Sequence, residues 1–336
     1  MGSRPALRDI ANLAGVSEAT VDRVLHGRPN VRQQTAERVL RAAGECGYLA
    51  EEQIARLMRP ERLRLTVVLP GTANPYIRTF NNELRIWAQA RDRGARLHSF
   101  MVESLDAAAL AGALRRLGKR SDAIAFFGVD HPEVRDEVDR LVTAGKRVIT
   151  IISDITDSRR HAYIGIDNVA AGRTAAFLLA RLNPHRKGKV AIVAATRQYR
   201  AHVERELGFQ ELILRDYPGV AFAETIEGRD DPQVNAKLTL DLLDRHPDLC
   251  GIYNVGGSSA GIGTAVRQAG RATQVALVGH GLSRDTLAML EEDTMLAVLT
   301  HRTQTLLEML VDTVHSSVLP GHLPMQIIFP TNVPNI

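Results

Sequence analysis

The stretch LRDIANLAGVSEATVDRVLHGR, residues 7–28, decides how the first part of this chain folds. The apolar residues of LRDIANLA recur at helical spacing and predict a first short helix with one apolar stripe. Gly15 stands where a tight turn needs a positive φ, and Ser17 is a good cap for a second helix from Glu18 to Leu25. The sequence therefore predicts a helix-turn-helix, in which two helices cross at a sharp turn.

The outer face of this second helix predicts contact with DNA, because its valines and its leucine pack back on the first helix. The residues left on the outer face are Glu18, Ala19, Asp22, Arg23 and His26, and Arg28 follows just beyond them. An acid on such a face repels phosphate, so Asp22 either accepts from a cytosine amino group or points along the protein. The competing interpretation is an ordinary antiparallel helix pair that packs inside a core.

Length and composition narrow the class of protein. The 336 residues suffice for two or three structural units, and the chain shows neither an apolar run that could span a bilayer nor a leader peptide. We therefore expect a cytoplasmic protein without membrane contact. Cys46 and Cys250 are expected to be reduced thiols, and no Cys/His spacing resembles a zinc site, so neither a metal nor a cofactor is predicted. The net charge of +4 is modest, which indicates that oligomerisation must supply further DNA contacts.

From residue 63 onward, strand-like runs alternate with amphipathic helices. The predicted strands are 65–70, 95–100, 123–128, 147–152, 163–166, 189–194, 222–226, 249–255, 274–279, 296–301 and 325–329. Continuous apolar strands between helices indicate parallel sheets that are covered on both faces, and this number of strands fits two sheets better than one. Ligands of such folds bind beyond the carboxyl ends of the strands, so the residues just after each run are the candidates.

The chain resembles LacI/GalR-type transcriptional regulators over essentially its whole length. The specific part is D-I-A-x-x-A-G-V-S-x-x-T-V-x-R-V-L, here Asp9 to Leu25, and the rest is similar to periplasmic sugar-binding proteins. The resemblance implies an all-α helix-turn-helix DNA-binding domain at 1–50, a hinge helix or linker at 51–62 and an α/β effector-binding core with parallel sheets at 63–336. The core would hold an N-subdomain of about 63–165 and 301–324 and a C-subdomain of about 166–300 and 325–336.

The resemblance also implies how DNA is bound. In the family, the residues that match Ser17, Glu18, Ala19, Thr20 and Arg23 contact the major groove or its phosphates, and a homodimer reads a pseudo-palindromic operator in double-stranded DNA. Leu57 falls where the family inserts a minor-groove wedge, and Arg56 beside it is placed for phosphate or groove contact. The segment 50–60 could instead be a plain linker, or its leucine could pack on the core.

The positions with which sugar-binding relatives hold their ligand are altered in this sequence. The clamping arginine matches Val203, and the polar positions after three strands read Gly256-Gly257, His280-Gly281 and His301. The effector contacts predicted from the remaining residues are Asn74, Tyr76, Asp130, Ser153, Asp154, Arg205, Arg229, Asn254, His280 and His301, with Arg197 and His202 at the rim. This set has more positive character than a free-sugar site. We therefore expect a sugar phosphate or sugar acid as effector, and a free sugar or polyol is the second hypothesis.

These features predict a transcriptional repressor of carbohydrate or central-carbon genes, controlled allosterically by a small metabolite that acts as inducer or as corepressor. A hydrolase is a competing hypothesis, because G-x-S-x-G at 257–261 resembles a nucleophile elbow with Ser259 as nucleophile, His280 or His301 as base and Asp285 as acid. The Ser–acid–His order of such hydrolases fits only His301, and no enzyme activity is predicted. A periplasmic-type solute receptor and an architectural DNA-binding protein without an effector are two further hypotheses.

Overall fold

The structure is a computed structural model that describes residues 6–26, 28, 31–51, 53–54, 63–71, 74–90, 95–102, 106–182, 188–316 and 319–334. The chain separates into two units, Met1–Leu63 and Arg64–Ile336. The described residues include no helix that combines the length and the apolar character needed to cross a bilayer.

The first unit is built on the helices α1 (Leu7–Ala14), α2 (Glu18–Leu25) and α3 (Gln33–Glu45). Gly15 ends α1 with a φ of 63°, and the Ser17 hydroxyl accepts the Thr20 backbone N–H at 3.3 Å to cap α2. Residues of all three helices, Ile10, Val21 and Val39 among them, are fully buried at one small core. The predicted helix-turn-helix is therefore confirmed, since the turn glycine, the cap and the apolar stripes act as the sequence indicates.

A further helical turn begins after α3. The Ile54 backbone N–H donates to the Ala50 carbonyl at 3.0 Å, and the Ile54 side chain packs against the core of the first unit. The predicted wedge residue Leu57 and its neighbour Arg56 lie outside the described residues.

The second unit opens with a sheet in the order β2-β1-β3-β4-β5. Its strands are β1 (Leu63–Pro70), β2 (Ala95–Val102), β3 (Ala123–Phe127), β4 (Arg147–Ile151) and β5 (Ala162–Ile164). The helices between them are α4 (Pro75–Ala90), α5 (Ala107–Gly118) and α6 (Pro132–Thr143). β3 is buried along its whole length, as expected for a parallel strand with helices on both faces.

The second sheet has the order β11-β10-β9-β8-β6-β7. Its strands are β6 (Gly188–Ala194), β7 (Val220–Glu227), β8 (Leu249–Asn254), β9 (Ala276–His280), β10 (Ala297–Thr300) and β11 (Gln326–Ile328). The accompanying helices are α7 (Asn168–Arg181), α8 (Arg200–Asp216), α9 (Pro232–Arg245), α10 (Ser259–Gln268) and α11 (Arg284–Glu291). A last helix, α12 (Thr303–His315), packs against α4 and β5 of the first sheet.

Each predicted strand overlaps one strand of the structure, and the strand pairs whose register is described are parallel with one exception. β11 runs antiparallel to β10, because the chain returns from α12 and enters the edge of the second sheet in the opposite direction. Separate buried clusters around the two sheets, with Ile124 in one and Ile252 in the other, give the second unit two lobes.

Both sheets are wound in the same way, and this winding positions the site. In each sheet, the strand that comes first in the chain lies between the two strands that follow it in the chain. The connections therefore leave in opposite directions at β1 and β3 and again at β6 and β8. Such a switch point leaves a crevice at the carboxyl ends of the strands, where open α/β sheets bind ligands.

Candidate functional site

The outer face of α2 is the first candidate site. Glu18, Ala19, Arg23 and His26 are exposed on it, as a DNA-reading helix requires. The Asp22 carboxylate points along the protein, since its two oxygens lie 3.0 Å from His26 Nδ1 and 3.1 Å from Arg28 Nη1. Of the two orientations that the sequence leaves open for Asp22, the structure shows the second.

The N-terminus of α2 adds a second feature to this face. The hydroxyl groups of Ser17 and Thr20 form a hydrogen bond of 2.9 Å, and both residues lie at the first turn of the helix. Backbone N–H groups of a helix N-terminus attract phosphate oxygens, so the predicted phosphate contacts of these residues fit their place in the fold.

The second candidate site is a cavity between the two lobes of the second unit, with about 700 Å³ of empty space including its open side. The ends of β1, β3 and β10 and the turns after β4, β7 and β8 all contribute to its wall. The polar side chains that line it are Asn74, Tyr76, Ser153, Tyr199, His202, Arg205, Asp230, His280, Thr300 and His301. The crevice that the sheet topology predicts is therefore present, and residues far apart in the chain meet in it.

Arg205 is the buried cation of the cavity wall. Its Nε donates to Asn168 Oδ1 at 2.9 Å and its Nη1 donates to the Val255 carbonyl at 2.7 Å. Burial lowers the pKa of the guanidinium, but an arginine so far above neutrality stays charged. The guanidinium is thus held rigidly by two neutral acceptors, and its positive charge is available to a ligand in the cavity.

Asp230 is the buried anion of the same wall, and it joins the two lobes. Its Oδ2 accepts from Asn74 Nδ2 at 2.9 Å, and its Oδ1 accepts from the Gly257 backbone N–H at 2.6 Å. Burial raises the pKa of this carboxyl, while the two hydrogen bonds and the Arg205 charge act in the opposite direction. Gly257 is needed here, because a Cβ at this position would collide with the Asn74 amide.

Three histidines complete the polar lining, and all three are held neutral. Burial lowers the pKa of His202 to about 3 and that of His301 to about 4, and the pKa of His280 also falls well below its usual value. His202 Nδ1 lies 3.0 Å from the Thr196 carbonyl, which can only accept, so Nδ1 carries the proton and Nε2 remains an acceptor. Among the described residues of the cavity wall, the positive character that the sequence indicates is therefore reduced to the charge of Arg205, which Asp230 opposes.

Two of the histidines are oriented by tyrosines. His280 Nε2 lies 2.7 Å from the Tyr253 hydroxyl, and His301 Nε2 lies 3.2 Å from the Tyr76 hydroxyl. Burial raises the pKa of both phenols, so they are neutral hydrogen-bonding groups. Each histidine–tyrosine pair can both donate and accept, which suits ligand hydroxyl groups.

Six of the ten predicted effector contacts line this cavity: Asn74, Tyr76, Ser153, Arg205, His280 and His301. The remaining four, Asp130, Asp154, Arg229 and Asn254, do not. Asp130 accepts from Thr156, Asp154 pairs with Arg160, and Asn254 donates to Ser259 Oγ at 2.8 Å, so local partners engage three of them. Arg229 is exposed instead of lining the cavity.

Local geometry decides which residues of α8 and of the turn after β7 reach the cavity. Val203, which the family resemblance puts at the clamping position, is 45% exposed, while Arg205 lies two residues further along α8 and faces the cavity. At the turn after β7 both Arg229 and Asp230 have a φ of 55°, and this left-handed pair turns the aspartate inward. Asp230 was therefore not predicted as a cavity residue. His202 was predicted at the rim, but its side chain lines the cavity itself. Arg197, the second predicted rim residue, pairs with Glu206 and Glu227.

The structure does not assemble the catalytic triad of the hydrolase hypothesis. Ser259 is buried, and its hydrogen-bond partner among the described residues is Asn254, not a histidine. The candidate bases His280 and His301 are bound to tyrosines. The described part of the chain likewise holds no group of three or more His, Cys, Asp or Glu side chains that could hold a metal ion.

Comparison with known proteins gives two family matches. The family described as bacterial regulatory proteins, lacI family, matches residues 6–51, and the family described as periplasmic binding protein domain matches residues 65–318. These ranges include α1 to α3 of the first unit and both sheets of the second up to β10.

The individual relatives are named as transcriptional regulators. The chain is 27% identical over 270 residues to the HTH-type transcriptional regulator CelR of Thermobifida fusca, and the match covers 74% of this chain and 73% of that protein. It is 25% identical over 311 residues to the HTH-type transcriptional regulator AglR of Rhizobium meliloti, covering 88% and 82%. A shorter match to the regulator reg1 of Streptomyces lividans, 45% identical over 74 residues, spans 22% of this chain and 21% of that regulator.

Among solved structures, the glucose-galactose binding protein GanP of Geobacillus stearothermophilus superimposes with a TM-score of 0.73 at 21% identity. The match covers 82% of this chain and all of that protein. At this identity the likeness establishes the fold of the second unit and nothing more.

Proposed function

We propose that the chain is a repressor of carbohydrate or central-carbon genes whose operator affinity depends on a small metabolite. It carries a periplasmic binding protein domain at residues 65–318, and its residues 6–51 match the lacI family of bacterial regulatory proteins. The observation that carries this proposal is the joining, in one chain, of an exposed recognition helix and a ligand-sized cavity with fixed polar groups. Such a repressor works in the cytoplasm, where the DNA is.

DNA recognition in this proposal rests on α2. Two copies of the chain each place α2 in a major groove, so that a homodimer reads a pseudo-palindromic operator. The contacts to bases and phosphates come from the residues at the start and on the outer face of the helix, with Arg23 at the centre of that face. The minor-groove wedge of Leu57, supported by Arg56, remains a prediction of the sequence.

The cavity favours a free sugar or polyol over a sugar phosphate as the effector. Its wall offers one cation and one carboxylate, and the neutral histidines add hydrogen-bonding groups without charge. A phosphate would bring up to two negative charges next to Asp230, and one guanidinium cannot balance all three. The name of one protein of similar fold agrees with a sugar, since it is a glucose-galactose binding protein.

A sugar acid is the second candidate effector, and Arg205 is the observation that favours it. Among the described residues, the hydrogen bonds of this side chain use Nε and Nη1, so Nη2 can donate to a ligand carboxylate. A carboxylate brings one charge rather than two, and protonation of one cavity histidine on binding would restore the balance.

The experiment that tests the proposal begins with footprinting of the purified protein on its source genome. Enrichment of a palindromic motif beside carbohydrate genes is expected, and Arg23→Ala should abolish it while leaving the protein folded. Isothermal titration with matched panels of neutral sugars, sugar acids and sugar phosphates then identifies the effector class. Failure to enrich any motif, with or without these compounds, would overturn the DNA-binding role. A preference for phosphates would overturn our interpretation of the cavity charge.

A further inference from the structure

Asp22, on α2, is ion-paired with Arg28 just beyond the helix and also lies beside His26. Its carboxylate lies between His26 Nδ1 at 3.0 Å and Arg28 Nη1 at 3.1 Å, and the Arg28 backbone N–H also donates to the Arg23 carbonyl at 2.8 Å. The exposed fractions of the side chains are 60% for His26 and 61% for Arg28, but 35% for Asp22. The carboxylate is thus the inner member, and its two partners reach outward.

A carboxylate on a DNA-binding face lowers the affinity for DNA unless it contributes to recognition. A carboxylate near the phosphates opposes binding, because affinity for DNA rests on positive charges that displace counterions. An ion pair as exposed as that between Asp22 and Arg28 also adds little to the stability of a fold. Stability therefore does not explain the ion pair, and the place of Asp22 on α2 directs attention to the DNA.

The geometry of the pair suits the recognition of a base. Asp22 engages Nη1 of Arg28, and among the described residues the hydrogen bonds and ion pairs of this side chain involve no other atom of the guanidinium. The edge formed by Nε and Nη2 can therefore donate two parallel hydrogen bonds, which is the pattern that matches O6 and N7 of guanine. An arginine fixed by a carboxylate loses less conformational freedom on binding than a free one.

Building on the proposed function, we propose that Asp22 is a positioning residue that holds the Arg28 guanidinium for a guanine in each operator half-site. The negative charge of Asp22 at the same time weakens binding to DNA without that guanine, because Arg28 then gains no base contact to offset the repulsion. Asp22 thus serves discrimination between sequences at the expense of overall affinity.

The test compares base preferences, position by position, on an operator selected from random DNA by the full-length protein. The wild type is expected to prefer guanine at one position of each half-site by about tenfold or more, and Arg28→Ala should remove that preference. Asp22→Asn should reduce it several-fold at the same position only, while binding to random DNA becomes tighter. In the Arg28→Ala background, Asp22→Asn should change no base preference further.

Glu45→Gln is the matched charge control, since Glu45 is exposed at the end of α3 and this change also removes one negative charge from the first unit. It should leave every base preference within twofold of the wild type. If Asp22→Asn also leaves every base preference within twofold of the wild type, the proposal is overturned and Arg28 is a phosphate contact. If the wild type selects no sequence, the proposed function itself fails, so the two failures are distinguishable.

Discussion

At the scale of single residues, the charge state of the cavity depends on side chains that burial holds in one protonation state. His202 is the most direct case, because it is buried and its pKa falls to about 3. The unfolded chain takes up a proton at this residue below about pH 6.5, whereas the folded chain does not do so until about pH 3. The stability linked to His202 is therefore fully present above pH 6.5 and is lost as the pH falls toward 3.

His202→Gln should accordingly make the second unit less sensitive to acid. Between pH 7 and pH 5 the free energy of unfolding of the wild type should fall by about 2 kcal/mol more than that of the variant. Denaturant unfolding followed by the fluorescence of Trp87, the single tryptophan of the chain, measures this difference within the second unit. His98→Gln, which changes an exposed histidine on β2, should show the wild-type dependence. Equal pH dependence of wild type and His202→Gln would contradict the buried neutral state.

Asp230 sets the charge balance of the cavity, and Asp230→Asn should shift the effector preference. The amide keeps an acceptor for the Gly257 N–H but removes the negative charge and disturbs the bond to Asn74. Affinity for a neutral sugar should fall by about tenfold, because a charge-assisted hydrogen bond to a ligand hydroxyl is lost. Affinity for the matching sugar acid should rise in the same titrations. Asp312→Asn, an exposed change on α12, is the control, and a parallel loss of both ligands would reject this role.

At the scale of elements, the crossing of α7 and α8 decides where Arg205 points. The two helices meet in backbone contact at Gly172 and Gly208, where an added Cβ would collide with the carbonyls of Arg205 and Val169 respectively. The close approach fixes the rotation of α8 and turns Arg205 inward, so that Val203 faces solvent. A pair of glycines that do not themselves line the cavity thus determines which side chain of α8 does.

Gly208→Ala should therefore destabilise the second unit by about 2 to 4 kcal/mol, because the helices must move apart. Effector affinity should weaken with it, since Arg205 moves with α8. Gly112→Ala is the matched control, as Gly112 lies on the exposed side of α5 with open space around it. That change should stabilise the protein by up to about 1 kcal/mol, because alanine is the better helix former. Tryptophan-monitored unfolding gives both values, and a Gly208→Ala protein as stable as the wild type would refute the crossing geometry.

At the scale of the whole molecule, a regulator must link its effector to its operator, and that linkage is reciprocal. If the effector changes operator affinity by some factor, the operator must change effector affinity by the same factor. We expect a factor of about 5 to 150, the range of typical coupling energies. Effector titrations with and without operator, and operator titrations with and without effector, measure the two factors independently.

Arg23→Ala separates the two functions within this cycle. The variant should lose operator binding, and its effector affinity should equal that of the free wild type, because Arg23 belongs to the first unit and the cavity to the second. Its effector affinity should also no longer respond to operator DNA. A variant whose effector affinity changes without DNA would show that Arg23 acts through the fold and not through a DNA contact.

Much of the fold and part of the site follow from the sequence. The helix-turn-helix is encoded by a turn glycine, a capping serine and apolar spacing within a few residues of each other, and the strands by short apolar runs between helices. Most of the six effector candidates that line the cavity lie at or just after the end of a strand, where parallel sheets bring such residues together, whereas Arg205 lies on α8. Asp230 was not predicted, because the left-handed backbone at residues 229 and 230 cannot be inferred from the residue types in this turn.

The sequence by itself determined the elements, their order and the general kind of protein, because these depend on local periodicity and on motifs that lie within one segment. Only the tertiary structure decided the inward turn of Arg205 and the neutral state of the histidines. The bond between Asn74 and Asp230 joins residues 156 positions apart, and that between Tyr76 and His301 joins residues 225 apart. Burial and charge arise from such distant neighbours, so the chemistry of the cavity is set when the two lobes come together.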